Sequence, residues 1–156
     1  MKKLIAGSFE ELEKSIGQEM GPSEWMSVTQ EQINLFADAT HDHQWIHVDV
    51  ERAKKESPHG KTIAHGYLTV SLIPTHLFQV LVVENSSMIV NYGIDSLRFV
   101  QPVVVDSRVR LKGKVSSVKN LRGTTKVILN VEIEIDGEKK PALSGDVVLL
   151  YFFEKK

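Results

Sequence analysis

Between Lys61 and Glu84 the chain carries no Asp, Glu, Lys or Arg, the longest such interval in the sequence. Residues 62–83 read Thr-Ile-Ala-His-Gly-Tyr-Leu-Thr-Val-Ser-Leu-Ile-Pro-Thr-His-Leu-Phe-Gln-Val-Leu-Val-Val, apolar on nearly every face of a helical projection. A helix of that kind has to be enclosed by other structure. The run is also long enough to raise a membrane span. His65, Thr69, Ser71, Pro74, Thr75, His76 and Gln79 argue against that, being polar or helix-breaking. The expectation is a buried helix in a soluble domain, kinked or broken at Pro74, because proline removes one hydrogen bond of the ladder. Tyr67 is expected in the core, and His76 as a buried, hydrogen-bonded histidine.

The material to enclose it follows from Met88 onward. Residues 107–118 alternate, with Arg108, Arg110, Lys112 and Lys114 on one face and Val109, Leu111 and Val115 on the other. Residues 124–135 alternate too, placing Val127, Leu129, Val131, Ile133 and Ile135 inward. Leu121-Arg122-Gly123 marks the turn between them and Asp136-Gly137 the next one. A last strand, Ala142–Phe153, turns apolar on both faces after Asp146, which suits a central strand or a subunit interface. The basic row could meet the phosphates of a nucleotide-bearing substrate, but a solvated strand face is the expectation. Trp45 and Phe99 are expected to pack rather than to stack on a ligand.

The first half reads as helices. Ser8 with Glu11 forms a capping-box pattern that opens a helix Phe9–Ile16, ended by Gly17. A short strand is expected over Glu24–Val28. Thr29 with Gln32 opens a second helix, which sets Ile33, Phe36 and Ala37 on one face and runs to Thr40. A charged helix Val50–Lys55 precedes the turn at Ser57-Pro58-His59-Gly60. Helices first, then antiparallel strands, make an α+β domain. At 156 residues the expectation is one domain, 1–156. A net charge of -1 gives no reason to expect nucleic acid or an anionic membrane as partner. With no cysteine, disulfides and thiolate nucleophiles are excluded. No apolar segment follows Lys2 and Lys3, so no signal peptide is read and a cytoplasmic location is expected.

The titratable groups concentrate in Ala39-Thr40-His41-Asp42-His43-Gln44-Trp45-Ile46-His47-Val48-Asp49. A turn over residues 43–46 would bring the Asp42 carboxylate and the His47 imidazole to one small site. Around one water, such a pair suits acid–base work, since histidine titrates near neutrality. The alternative is that Asp42 caps a helix turn and His47 is a satisfied core histidine. His41, His43 and His47 would share a face if extended, as zinc ligands do, but no His-Glu-x-x-His or cysteine pattern accompanies them. No metal is expected, and His41 and His43 are read as solvent-facing. Gly66, at the start of the uncharged helix, would let a ligand carbonyl approach unpaired amides. Equally, it would permit close helix–sheet packing.

The stretch from Ala39 to Asp49, followed by Thr62-Ile63-Ala64-His65-Gly66, resembles the signature of MaoC-like (R)-specific enoyl-CoA hydratases. Gln44-Trp45 stands where many members have Asn-Pro, which points to a subgroup near the nodulation-protein-N-like members. The resemblance implies a hot-dog fold, with a long helix wrapped by a curved antiparallel sheet and two protomers pairing through their sheets. It implies Asp42 and His47 as the catalytic pair and the Gly66 N–H as the group that holds the thioester carbonyl. The implied substrate is an acyl-CoA or acyl-carrier-protein thioester, hydrated without a cofactor. The alternatives are an acyl-CoA thioesterase and a non-catalytic acyl-thioester binding module.

Overall fold

The computed structural model describes residues 2–153. The chain opens with β1 (Leu4–Ala6) and α1 (Phe9–Lys14), capped by the Ser8 hydroxyl accepting the Glu11 N–H at 3.3 Å. α1 stops short of Ile16, and Gly17 turns the chain at φ 82°, donating to the Val115 carbonyl. Two short strands follow, β2 (Glu19–Met20) and β3 (Met26–Ser27), the latter shorter than the expected Glu24–Val28. α2 (Gln30–Thr40) begins at the predicted capping box, with both reciprocal bonds between Thr29 and Gln32 formed. It buries Ile33 and Ala37 on one face. α3 (Trp45–Val48) and α4 (Val50–Glu56) lead into the uncharged segment.

That segment is not one helix. Residues 62–65 are extended: Ala64 N–H donates to Val103 O, Val105 N–H to Thr62 O, and Ile63 N–H to Ile46 O. α5 (Gly66–Ser71) and α6 (Ile73–Val80) then follow, separated at Leu72, and the run ends in β4 (Leu81–Val83), paired in parallel with β1. Pro74 sits in the first turn of α6, where its missing N–H breaks no ladder bond. The β-branched Val82 and Val83 favour a strand, which a helical projection of the whole run conceals. Nor is the helix pair enclosed on every side: Tyr67, expected in the core, is 73% exposed, and Phe78 is exposed as well. As the second residue of α5, Tyr67 lines a surface cleft that His47 also borders.

The rest is sheet. β5 (Ser86–Phe99), β6 (Arg108–Leu121), β7 (Thr124–Ile135) and β8 (Leu143–Phe153) join β2 in the order β2-β6-β7-β8-β5, all antiparallel, with β3 also on β6. Arg122 and Gly123 both have positive φ, 54° and 95°, as a two-residue hairpin turn of the favoured hand requires. The alternation is kept in β7 and, in β6, up to a bulge between Val115 and Ser117: Val109, Leu111, Val115, Val127, Leu129, Val131, Ile133 and Ile135 are all buried. β8 is central, between β7 and β5, so Val147, Val148 and Leu149 are buried in succession. Among the described residues β5 pairs only with β8, leaving one edge open. Leu12, Val28, Ile33, Leu77 and Val80 share one apolar core with the inward residues of β6, β7 and β8. No described helix is long and apolar enough to cross a membrane.

The basic row lies on the outer face, as expected, and three of its four members are paired across the strands. Arg110 pairs with Glu134 at 2.7 Å, Lys112 reaches Glu132 and Glu134 at 3.1 and 3.0 Å, and Arg108 pairs with Asp136. The Arg110 guanidinium also covers the Trp25 ring at 4.2 Å. Bonds to Glu134 and Glu132 raise the Lys112 pKa above its ordinary value.

Candidate active site

α2 ends at Thr40, and His41 turns the chain in the left-handed region, φ 59° and ψ 21°. That turn throws Asp42 outward, its side chain 53% exposed, and returns the chain into α3, where His47 is buried. The extended 62–65 segment lies against this loop and is stitched to it. His47 Nδ1 bonds to the Ile63 carbonyl at 2.7 Å. A carbonyl only accepts, so Nδ1 carries the proton and Nε2 presents a bare lone pair. Burial, the largest influence, lowers the His47 pKa. The Ile63 bond raises it, His65 lowers it further and Asp42 raises it, and the net shift is downward. At neutral pH His47 is therefore an uncharged base.

A second buried imidazole stands behind the first. His65 stacks on His47 with ring centroids 3.8 Å apart and planes 26° from parallel, and Phe36 leans on His65 at 5.0 Å. His65 Nε2–H donates to the Asp42 carbonyl at 2.9 Å. Side-chain ligand atoms of Asp42, His47 and His65 all lie within 4.8 Å of one another, close enough for one water to touch two of them. His41 and His43 take no part: both are exposed, and His43 bonds to Asp38 at 2.8 Å. The trio of histidines considered for zinc is thus not assembled.

The loop is held from α2 as well. The Gln30 amide donates to the His47 carbonyl and to Asn34, each at 2.8 Å, while its oxygen accepts the buried Thr62 hydroxyl. Gln30 and Thr62 carry no local sequence signal, because their partners lie 17 and 32 residues away. His65 is visible inside Ala64-His65-Gly66, yet sequence reasoning assigns a role there to Gly66 alone.

His47 borders a cleft of about 400 Å³ whose walls include Gly66, Tyr67, Phe99, Val100 and Gln101. Gly66 opens α5, and the amides of a helix's first turn have no intrahelical acceptor. A Cβ on Gly66 would lie 2.9 Å from the Phe99 ring, so close packing by itself demands glycine here. Phe99 packs on Gly66, as expected, but it is half exposed and meets Tyr67 edge-on at 6.1 Å along the cleft. Trp45 packs under the Arg52 guanidinium at 4.4 Å. An uncharged imidazole, a carboxylate and an apolar-walled cleft can hold a water against a flat, neutral substrate and move its proton.

The model of the MaoC like domain matches residues 11–136. A 3-hydroxyacyl-thioester dehydratase Z of Mycobacterium tuberculosis is 42% identical over 145 residues, covering 92% of this chain and 95% of the relative. Nodulation protein N of Rhizobium leguminosarum is 44% identical over 150 residues, 94% of this chain and 92% of that protein. Among solved structures, the unliganded (R)-hydratase of Pseudomonas aeruginosa superposes with a TM-score of 0.71 at 23% identity, covering 94% of this chain and 86% of its own. An (R)-hydratase from A. caviae gives 0.69 at 23%, over 86% and 94% of the two chains. At that identity the structural likeness is one of fold. The curated relatives supply the rest, so the chain belongs to the MaoC-like dehydratases, hydro-lyases of the hot-dog fold.

Proposed function

We propose that the protein, as a single MaoC-like domain over 1–156, is an (R)-specific enoyl-CoA hydratase. It adds water reversibly to trans-2-enoyl thioesters and yields (R)-3-hydroxyacyl thioesters, in fatty-acid metabolism and in the cytoplasm. The observation that carries this reading is the bare Nε2 of buried, uncharged His47 at the edge of an apolar cleft, with an Asp42 carboxylate oxygen within 4.8 Å of the His47 ring. The Asp42 carboxylate accepts one hydrogen of the water and orients it. His47 Nε2 takes the other hydrogen as the water oxygen bonds to C3 of the enoyl group. The C2=C3 electrons move toward the thioester carbonyl, whose growing charge the Gly66 N–H meets. The imidazolium then returns its proton to C2, so the elements of water are added and the pair is restored. Asp42 stabilises the imidazolium in between, in keeping with its upward pull on the His47 pKa. The (R) outcome is carried over from the (R)-hydratases whose fold this chain shares.

We also infer that the working form is a homodimer. Among the described residues β5 has one unpaired edge, and Met88, Tyr92 and Ile94 on it are exposed apolar side chains. Tyr92→Lys should move the sedimentation coefficient to that of a monomer.

Crotonyl-CoA tests the reaction itself. Loss of enoyl ultraviolet absorbance without release of free thiol, with the (R)-3-hydroxy product identified by chiral chromatography, is the expected result. Thiol release from saturated acyl-CoA would point to a thioesterase. An unchanged ligand bound in stoichiometric amount would point to a binding module.

A further inference from the structure

His65 is more than nine-tenths buried, yet its Nδ1 has no hydrogen-bond partner among the described residues. An orphaned nitrogen in the interior is costly, and an apolar side chain would fill the same space without that penalty. Neither His65 nor Asp42 is among the residues that wall the cleft, but the Asp42 side chain is 53% exposed and that of His65 only 4%, so His65 is enclosed behind the pair. What it does touch is both members of the pair. Its Nε2–H holds the main-chain carbonyl of Asp42 at 2.9 Å, and its ring face covers His47 at 3.8 Å.

These two contacts do different things. Asp42 sits in an exposed loop just past the left-handed turn at His41, where among the described residues its own carboxylate accepts only a long 3.4 Å bond from the Gln44 N–H and lies 3.9 Å from His65 Nε2. The bond from His65 ties that loop to the extended 62–65 segment, which is itself bonded to Val103 and Val105 of the chain leading into β6. His47, by contrast, is already fixed through Nδ1 to Ile63. For it the His65 ring covers one face of the imidazole. We propose that His65 is a positioning residue for the Asp42–His47 pair, anchoring Asp42 through its Nε2–H and shielding His47 through its ring.

This inference rests on the hydratase reading, and two substitutions separate its halves. His65→Phe keeps an aromatic ring and removes the donor. His65→Gln keeps an amide donor near the Nε2 position and removes the ring. With crotonyl-CoA, His65→Phe should lower kcat about 10- to 100-fold, the scale of a small misplacement, with KM within about twofold of wild type. His65→Gln should keep kcat within about fivefold, because the anchor survives. The His47 titration, followed by nitrogen-15 NMR without ligand, should show the opposite pattern. Both variants lose the downward pull of His65, so the midpoint should rise in each, but further toward the ordinary 6.5 in His65→Gln, where water also reaches the ring, than in His65→Phe. If His65→Phe does not fold, His65→Met also lacks the donor and carries the same kcat expectation.

Wild-type kcat in the folded donor-less variant would overturn the anchoring role. A His47 midpoint no higher in His65→Gln than in His65→Phe would overturn the shielding role, and a change confined to KM would make His65 a binding residue instead. Should the wild-type protein hydrate no enoyl thioester, the hydratase reading fails by itself. The NMR titration would then decide alone whether His65 governs His47.

Discussion

The outer face of the β6–β7 hairpin and the crossing of the 41–48 loop with the 62–65 segment are both dense in polar side chains, and they use them in opposite ways. On the hairpin the charges answer one another across the strands: Arg108 with Asp136, Arg110 with Glu134, Lys112 with Glu132 and Glu134. At the crossing the polar groups are tied down through one atom and left open through the other. His47 is bonded at Nδ1 and bare at Nε2, and His65 is bonded at Nε2 and bare at Nδ1. Closed surface ion pairs contribute little or nothing beyond modest stability, whereas an open lone pair beside a cleft is chemical capacity. His76 marks the limit of that rule. Its Nε2 is equally orphaned, but it bonds Ser23 at 2.9 Å deep in the core, away from the cleft. Openness and access are needed together.

Substitutions should split the two regions cleanly. His47→Gln and Asp42→Asn should each lower kcat/KM about a thousandfold, the scale of losing a general acid–base group, with the melting temperature nearly unchanged. Ile133→Ala, in the hairpin's buried row, should do the reverse. It should cost about 2–5 kcal/mol of stability in denaturant titration while each folded molecule keeps its activity. A similar activity loss from Ile133→Ala at temperatures where it stays folded would erase the contrast.

Acid should find the same division. His47 and His76 both have pKa values pushed below the ordinary 6.5, in each case chiefly by burial. Below 6.5 the unfolded chain therefore binds protons that the folded chain refuses, so stability falls as pH drops beneath that value and is recovered above it. Denaturation midpoints at pH values about one unit above and below 6.5 should differ in that direction. His76→Gln should shrink the difference without touching neutral-pH activity. The smallest effect belongs to the ion-pair ladder. Glu134→Gln should change stability by about 1 kcal/mol or less and leave activity alone, since these pairs are partly exposed to solvent.

The same contrast explains what is legible in the sequence. Alternation places Val127, Leu129, Val131, Ile133 and Ile135 inward by strand period alone, because a slip of one residue would expose them all. The encounter of Asp42 and His47 is local, needing only a turn between them, and the signature through Gly66 names the family. The uncharged run is harder. An extended buried segment and a buried helix look alike in hydrophobicity, so residues 62–65 and 81–83 merge with the helices between them. His65 escapes assignment for a related reason. Its bond to Asp42 spans 23 residues, and only the extended backbone at Ile63 and Ala64 turns its ring onto His47. Tyr67 is misplaced because hydrophobicity marks a surface to be covered without saying whether core or cleft covers it.

The most direct measurement is kcat/KM for crotonyl-CoA hydration across roughly pH 4.5 to 8.5, the range about the histidine and carboxylate values. With His47 as a base whose pKa is lowered, the profile should be flat through neutrality and fall only on the acid side, with its midpoint below 6.5. Activity that rises as pH falls through that range would make His47 an acid and contradict the mechanism. No loss of enoyl absorbance at any pH would contradict the function.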